Sequence, residues 1–191
     1  MTWITGAHQF TDALASPAPT PGGGAAAAMA GAMGCALVMM SVHTTLKRKN
    51  TPDEHRALLE RSLHKLTPVH EELKNLISQD SAAYEAYLTA AKLPKENPTR
   101  AQAVQEALWQ AACVPAQTAQ TCLALLQEIT TLCPLIAPVI ISDVNCAQHL
   151  LKSAVACCVE NIRANAAYIT NTAHQEQIKQ WLSTFSQEAA Q

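Results

Sequence analysis

The chain has 191 residues, of which 49% are hydrophobic, 15% charged and 4% aromatic, with 13 basic against 15 acidic side chains. So much apolar material with so little charge excludes a disordered tail, and near-neutrality excludes an electrostatic nucleic-acid binder. One core suffices for this length, so a single domain over residues 1–191 is expected.

Alanine supplies 35 residues and is the strongest helix former. No stretch alternates apolar and polar residues with a period of two. The expected fold is all-α, with about six helices in an up-and-down bundle around a central Ala/Gly-rich helix. Abundant small residues and an apolar surplus also point to an oligomer.

A short amphipathic helix is expected over 3–15, with Ile4, Phe10 and Leu14 apolar. Pro17, Pro19 and Pro21 end it, since proline does not sit in a helix interior. Gly22-Gly23-Gly24 then lead into Ala25–Val42, eighteen residues without a charge. Length alone allows a membrane span. Ala, Gly and Ser fill more than half of the run and contribute little to insertion, so it is read as a buried helix. Lys47-Arg48-Lys49 follow, cations that suit a helix C-terminus.

Thr51 is placed to cap the next helix, with Pro52 in its first position. Leu58, Leu59, Leu63 and Leu66 form its stripe, Pro68 should kink or restart it, and Leu73, Leu76, Ile77, Tyr84 and Tyr87 carry it on. Thr99 opens a helix through Leu108, Ala112 and Ile129 that Pro115 should bend. Cys133 to Pro138 break it. Ser142-Asp143 open a long helix to about residue 170, and a last helix covers about 173–189.

Asp80 resists a purely structural reading. Leu73, Leu76, Ile77, Tyr84 and Tyr87 stand at helical spacing around it, so a carboxylate sits inside an apolar stripe. Desolvation should raise its pKa, which suits a general acid or base. Asn161 and Asn165 are four apart on a small apolar face with Ala154 and Cys158, and their amides need partners. Gly22, Gly23 and Gly24 before a helix let another group approach the backbone and offer free N–H groups. Asp143 reads first as part of a helix start. It lies 18 residues from Asn161, about 27 Å along a straight helix, so the two cannot share one small pocket. Lys47 and Lys49 are either solvated or anchors for a carboxylate. The seven histidines form no metal-ligand spacing, no nucleophile motif occurs, and the seven cysteines read as reduced, buried small hydrophobes.

Together these residues resemble the cyclodeaminase/cyclohydrolase family of folate enzymes. The likeness runs from Pro17 through Pro21-Gly22-Gly23-Gly24 into Ala25–Ala28, Gly31 and Gly34. It continues through Lys47-Arg48-Lys49, Asp80 with Ala83 and Tyr84, Lys92-Leu93-Pro94-Lys95, Val114-Pro115, Ser142-Asp143-Val144 and Asn161-Ile162-Arg163-Ala164-Asn165. Ala25, Leu46 and Asn50 depart from the family pattern. The resemblance implies an all-helical homodimer acting on a reduced folate, and cysteines read as reduced give the cytoplasm as the expected location. No separate cofactor, metal, nucleic acid or membrane is expected to take part. The implied activity is cyclisation of 5-formiminotetrahydrofolate with loss of ammonia; the alternatives are methenyltetrahydrofolate hydrolysis and folate binding without turnover. Asp80 would be the acid/base. Asn161 and Asn165 would orient the pterin, Lys47 and Lys49 would hold the glutamate tail, Gly22–Gly24 would form a pocket wall, and Asp143 would contact substrate.

Overall fold

The computed structural model describes residues 2–189, and among them every regular element is helical. The α-helices are α1 (Trp3–Leu14), α2 (Gly23–Leu46), α3 (Asp53–Ala91), α4 (Arg100–Leu132), α5 (Ile141–Ala166) and α6 (Thr172–Ala189). Two single 3-10 turns, Cys133–Leu135 and Pro138–Ile140, join α4 to α5.

Small residues decide how α2 packs. Gly24, Ala28, Gly31, Cys35, Val38, Val42 and Thr45 recur every three or four residues, and all are buried. Opposite them α3 runs antiparallel: Asp80 meets Gly24 and Leu73 meets Gly31, while Cys35 Sγ donates to the Leu66 carbonyl. Leu59, Leu66, Leu73 and Leu76 of α3 are fully buried, worth about 1.5–3 kcal/mol each by transfer. On another side α5 also runs antiparallel, with Leu151 against Gly34 and Asn161 against Gly23.

A methyl group at Gly34 would stand 2.8 Å from Leu151 Cγ and 3.2 Å from the Ala147 carbonyl oxygen. Gly34→Ala is therefore expected to destabilise the fold by about 1–3 kcal/mol in urea unfolding, as overpacking does. An unchanged midpoint would show that α2 and α5 are not held this closely.

α2 is long and apolar enough to cross a membrane, yet more than half of its most apolar stretch is buried in this fold. α3, α4 and α5 cover it. The α2 C-terminus is closed by Arg56 of α3, whose guanidinium donates to the Leu46, Arg48 and Thr51 carbonyls. The expected Thr51 cap is not made. Pro52 precedes the first helical residue, and the Thr51 hydroxyl donates to the Thr45 carbonyl instead.

Neither internal proline ends its helix: α3 runs on through Pro68 and α4 through Pro115. Pro68 faces solvent, where water can serve the carbonyl that lost its donor. α5 begins at Ile141, one residue before Ser142-Asp143, and ends at Ala166, short of the expected residue 170. At the other end of the chain Trp109 stacks between His174 and Trp181, at centroid distances of 3.9 and 5.3 Å, and pins α6 to α4. The cysteine reading holds for Cys35, Cys122 and Cys158. It fails for Cys146 and Cys157, which are exposed because their positions on α5 turn away from α2 and α4; Cys113 and Cys133 are half-buried.

Candidate active site

The strap after α1 passes over the start of α2. Its Thr20–Pro21 peptide is cis, and the Thr20 hydroxyl donates to Glu85 of α3 at 3.2 Å. Gly22 is the N-cap of α2 and has no side chain to bond the first-turn N–H groups. Those donors are left for whatever lies beyond the helix end.

What lies there is Asp80. A Cβ on Gly24 would fall 1.9 Å from Asp80 Oδ1, so only glycine lets the carboxylate rest against the backbone of α2. None of the glycines adopts a positive φ. The glycine requirement is one of close approach. Burial pushes the Asp80 carboxyl above its ordinary range, while the Ala25 backbone N–H, which hydrogen-bonds the ionised form, pulls it back. The surroundings are apolar enough that the nearby Cys158 thiol is also raised, chiefly by burial and in part by Asp80 itself.

Two amides complete the cleft. Asn161 lies flat on Gly23, where a Cβ would be 3.3 Å from its Nδ2, and it donates to the Cys157 carbonyl at 2.8 Å. Asn165 donates to the Asn161 carbonyl at 3.1 Å and to the Ala111 carbonyl of α4 at 2.9 Å. Between these groups is a cleft of about 280 Å³, walled by Gly22–Gly24, Asp80, Ala111, Asn161 and Asn165, with Pro19, Thr20 and Tyr84 at its edge. No lysine or arginine lines it. A larger groove of about 400 Å³ runs between α3 and α4, past Lys65, Val69, Glu72, Thr121 and Glu128. That groove is lined by mid-helix residues, whereas in the smaller cleft a carboxylate and two amides meet the N-terminus of a helix, which is where chemistry is poised.

Asp80, Gly22, Gly23, Gly24, Asn161 and Asn165 thus converge from three helices. Lys47, Lys49 and Asp143 do not join them. Lys47 follows the last turn of α2, about 36 Å from Gly23 by helical rise. Asp143 lies in the first turn of α5, at that same far end, because α2 and α5 are antiparallel. Within one chain these three residues lie at the opposite end of the bundle from Asp80.

By its spacing Tyr84 belongs to the apolar stripe of α3, but the fold places it at the surface. It is 39% exposed and lines the cleft one helical turn after Asp80, leaning on Tyr87 with ring centroids 6.0 Å apart. Its signal was its position four residues from the carboxylate, on the same face.

Residues 6–184 match the model of the formiminotransferase-cyclodeaminase family. A methenyltetrahydrofolate cyclohydrolase from Methylorubrum extorquens is 35% identical, over 88% of this chain and 82% of its own. A formimidoyltransferase-cyclodeaminase from Sus scrofa is 36% identical, over 94% of this chain; the chain spans about a third, 34%, of that longer relative. The crystal structure of a formiminotetrahydrofolate cyclodeaminase from Thermotoga maritima superposes with a TM-score of 0.85 at 26% identity, covering 96% of this chain and 89% of that one.

Proposed function

The chain belongs to the formiminotransferase-cyclodeaminase family of folate one-carbon enzymes, and we propose that it cyclises 5-formiminotetrahydrofolate to 5,10-methenyltetrahydrofolate with release of ammonia. The observation that carries this reading is a desolvated carboxylate in a cleft without a single cationic side chain. The formimino group is an amidine that carries positive charge when protonated, and a carboxylate stabilises it.

Asp80 then works as base and acid in turn. N10 attacks the formimino carbon, and Asp80 takes the N10 proton. The tetrahedral carbon holds N5, N10 and the former imino nitrogen. Asp80 returns the proton to that last nitrogen, its bond to carbon breaks, and ammonia leaves with the electron pair. The cationic methenyl bridge remains beside the carboxylate. Asn161 and Asn165 orient the ring system, and Gly22–Gly24 form the wall against which it lies.

A second reading has its own support: the Methylorubrum relative, comparable in length, is a cyclohydrolase. In that reaction water adds to the methenyl carbon as Asp80 takes its proton; Asp80 passes that proton to N5 as the N5–carbon bond breaks, and the carbinol O–H gives up its proton to water as the formyl C=O forms, leaving the 10-formyl compound. The two are told apart by offering both substrates to the purified protein. Growth of the methenyl absorbance from the formimino compound, with ammonia, supports cyclisation. Its loss above the spontaneous rate supports hydrolysis, and no change with either substrate removes both.

Tyr84 serves as a stacking face for the planar pyrimidine half of the pterin. One helical turn separates it from Asp80, about 6 Å, comparable with the span from that ring to the N5–N10 bridge. Tyr84→Leu is expected to raise KM about tenfold and leave kcat nearly unchanged, since base–aromatic stacking is worth about 1–3 kcal/mol. Unchanged KM in steady-state assays would remove the role.

The working form is proposed to be a homodimer in the cytoplasm, with α2 as the central helix of each bundle. In support, α1 buries none of its residues, and an apolar groove of about 480 Å³ lies between α1 and α2, lined by Trp3, Phe10, Leu14, Met29 and Met33. A second copy could also bring Lys47, Lys49 and Asp143 to a neighbouring cleft. Sedimentation equilibrium should give twice the mass of the 20.5 kDa chain; a monomer at micromolar concentration would contradict the dimer.

A further inference from the structure

Proline in a helix interior removes one N–H and strands the carbonyl four residues before it. In α4 the proline is Pro115, buried, and the stranded carbonyl belongs to Ala111, a residue of the cleft wall. That carbonyl is not left unpaired: Asn165 Nδ2 of α5 donates to it at 2.9 Å. The other Nδ2 proton goes to the Asn161 carbonyl at 3.1 Å. Both partners are carbonyl oxygens, so the amide has one sensible orientation, because flipping it would set oxygen against oxygen twice. Its two donors are spent, and Oδ1 is the atom left to accept.

We infer that Pro115 is a positioning residue: by freeing the Ala111 carbonyl it locks Asn165 with its oxygen available, so the cleft recognises a substrate N–H at that point and rejects an acceptor. The inference deepens the folate reading and rests on it. The pyrimidine half of a pterin carries such donors at its ring N–H and exocyclic amino group. With an N–H at position 115, the Ala111 carbonyl regains its intrahelical partner, and the Asn165 amide loses exclusive hold of it.

The test is a double-mutant cycle on the affinity of the full chain for tetrahydrofolate, measured by titration calorimetry. Asn165→Ala is expected to weaken binding about tenfold and Pro115→Ala about threefold, as loss and loosening of one ligand hydrogen bond would. Pro115→Ala should weaken binding no further when Asn165 is already alanine. A structural role alone would weaken binding equally whether residue 165 is asparagine or alanine, and so show additivity in place of coupling. If Pro115→Ala does not fold, Pro115→Ser restores the same N–H and replaces it in the cycle. Wild-type affinity in the Pro115 variant, or the same weakening in both backgrounds, overturns the inference and leaves the folate reading standing. Failure of the wild-type protein to bind tetrahydrofolate overturns both.

Discussion

Asp80→Asn should lower kcat by at least about 10²-fold while leaving the protein no less stable at pH 7. The rate loss follows because an amide can neither take the N10 proton nor return it. The stability follows from burial. The folded chain holds the Asp80 proton more tightly than the unfolded chain does. Ionisation therefore weakens the fold as pH rises from the ordinary carboxylate value through the raised one. Asparagine carries no charge to desolvate, and its Oδ1 can still accept from the Ala25 N–H. The melting temperature at pH 7 should equal or exceed that of the wild type. A variant that melts lower and keeps its turnover would mean that Asp80 serves only to close the α2 N-terminus.

Gly24→Ala should lose activity on the same scale, for a different reason. Its methyl group would occupy the place of Asp80 Oδ1, 1.9 Å away, with Cγ at 2.5 Å and Oδ2 at 2.8 Å. Either the carboxylate swings off the helix terminus or the strap and α2 shift together. Both outcomes take Asp80 out of its seat, so kcat should fall by about 10²-fold, with about 1–3 kcal/mol of destabilisation from overpacking. Gly6→Ala is the natural control, since a Cβ there meets nothing within 4 Å. Near-native turnover in Gly24→Ala would show that the carboxylate does not need this contact.

Much of the site could be read from residues because its signals are violations of helix patterning. Asp80 interrupts an apolar stripe, Asn161 and Asn165 place two amides on a small-residue face, and three glycines stand at a helix start that alanine would form as well. Each departs from what packing alone selects, and the fold brings all of them together. The remote residues broke no such rule. Lys47, Lys49 and Asp143 fit ordinary helix ends, and only the antiparallel course of α2 and α5 shows how far they lie from the cleft.

Other features hid because one residue type can play two parts. Tyr84 continues the spacing of Leu73, Leu76 and Ile77, and nothing local says that the stripe leaves the core near the end of α3. Pro68 and Pro115 read as breaks, yet solvent answers the first and a side chain from another helix the second. That partner lies 54 residues along the chain from Ala111, beyond the reach of any local rule.

Proton exchange by Asp80 is tested most directly by the pH dependence of kcat/KM. The wild-type rate should rise with pH along a limb whose pKa lies above the ordinary carboxylate value of 3.8, because only the ionised form can act as base. The residual activity of Asp80→Asn should lack that limb. The same acidic limb in both proteins would assign the proton transfer to another group.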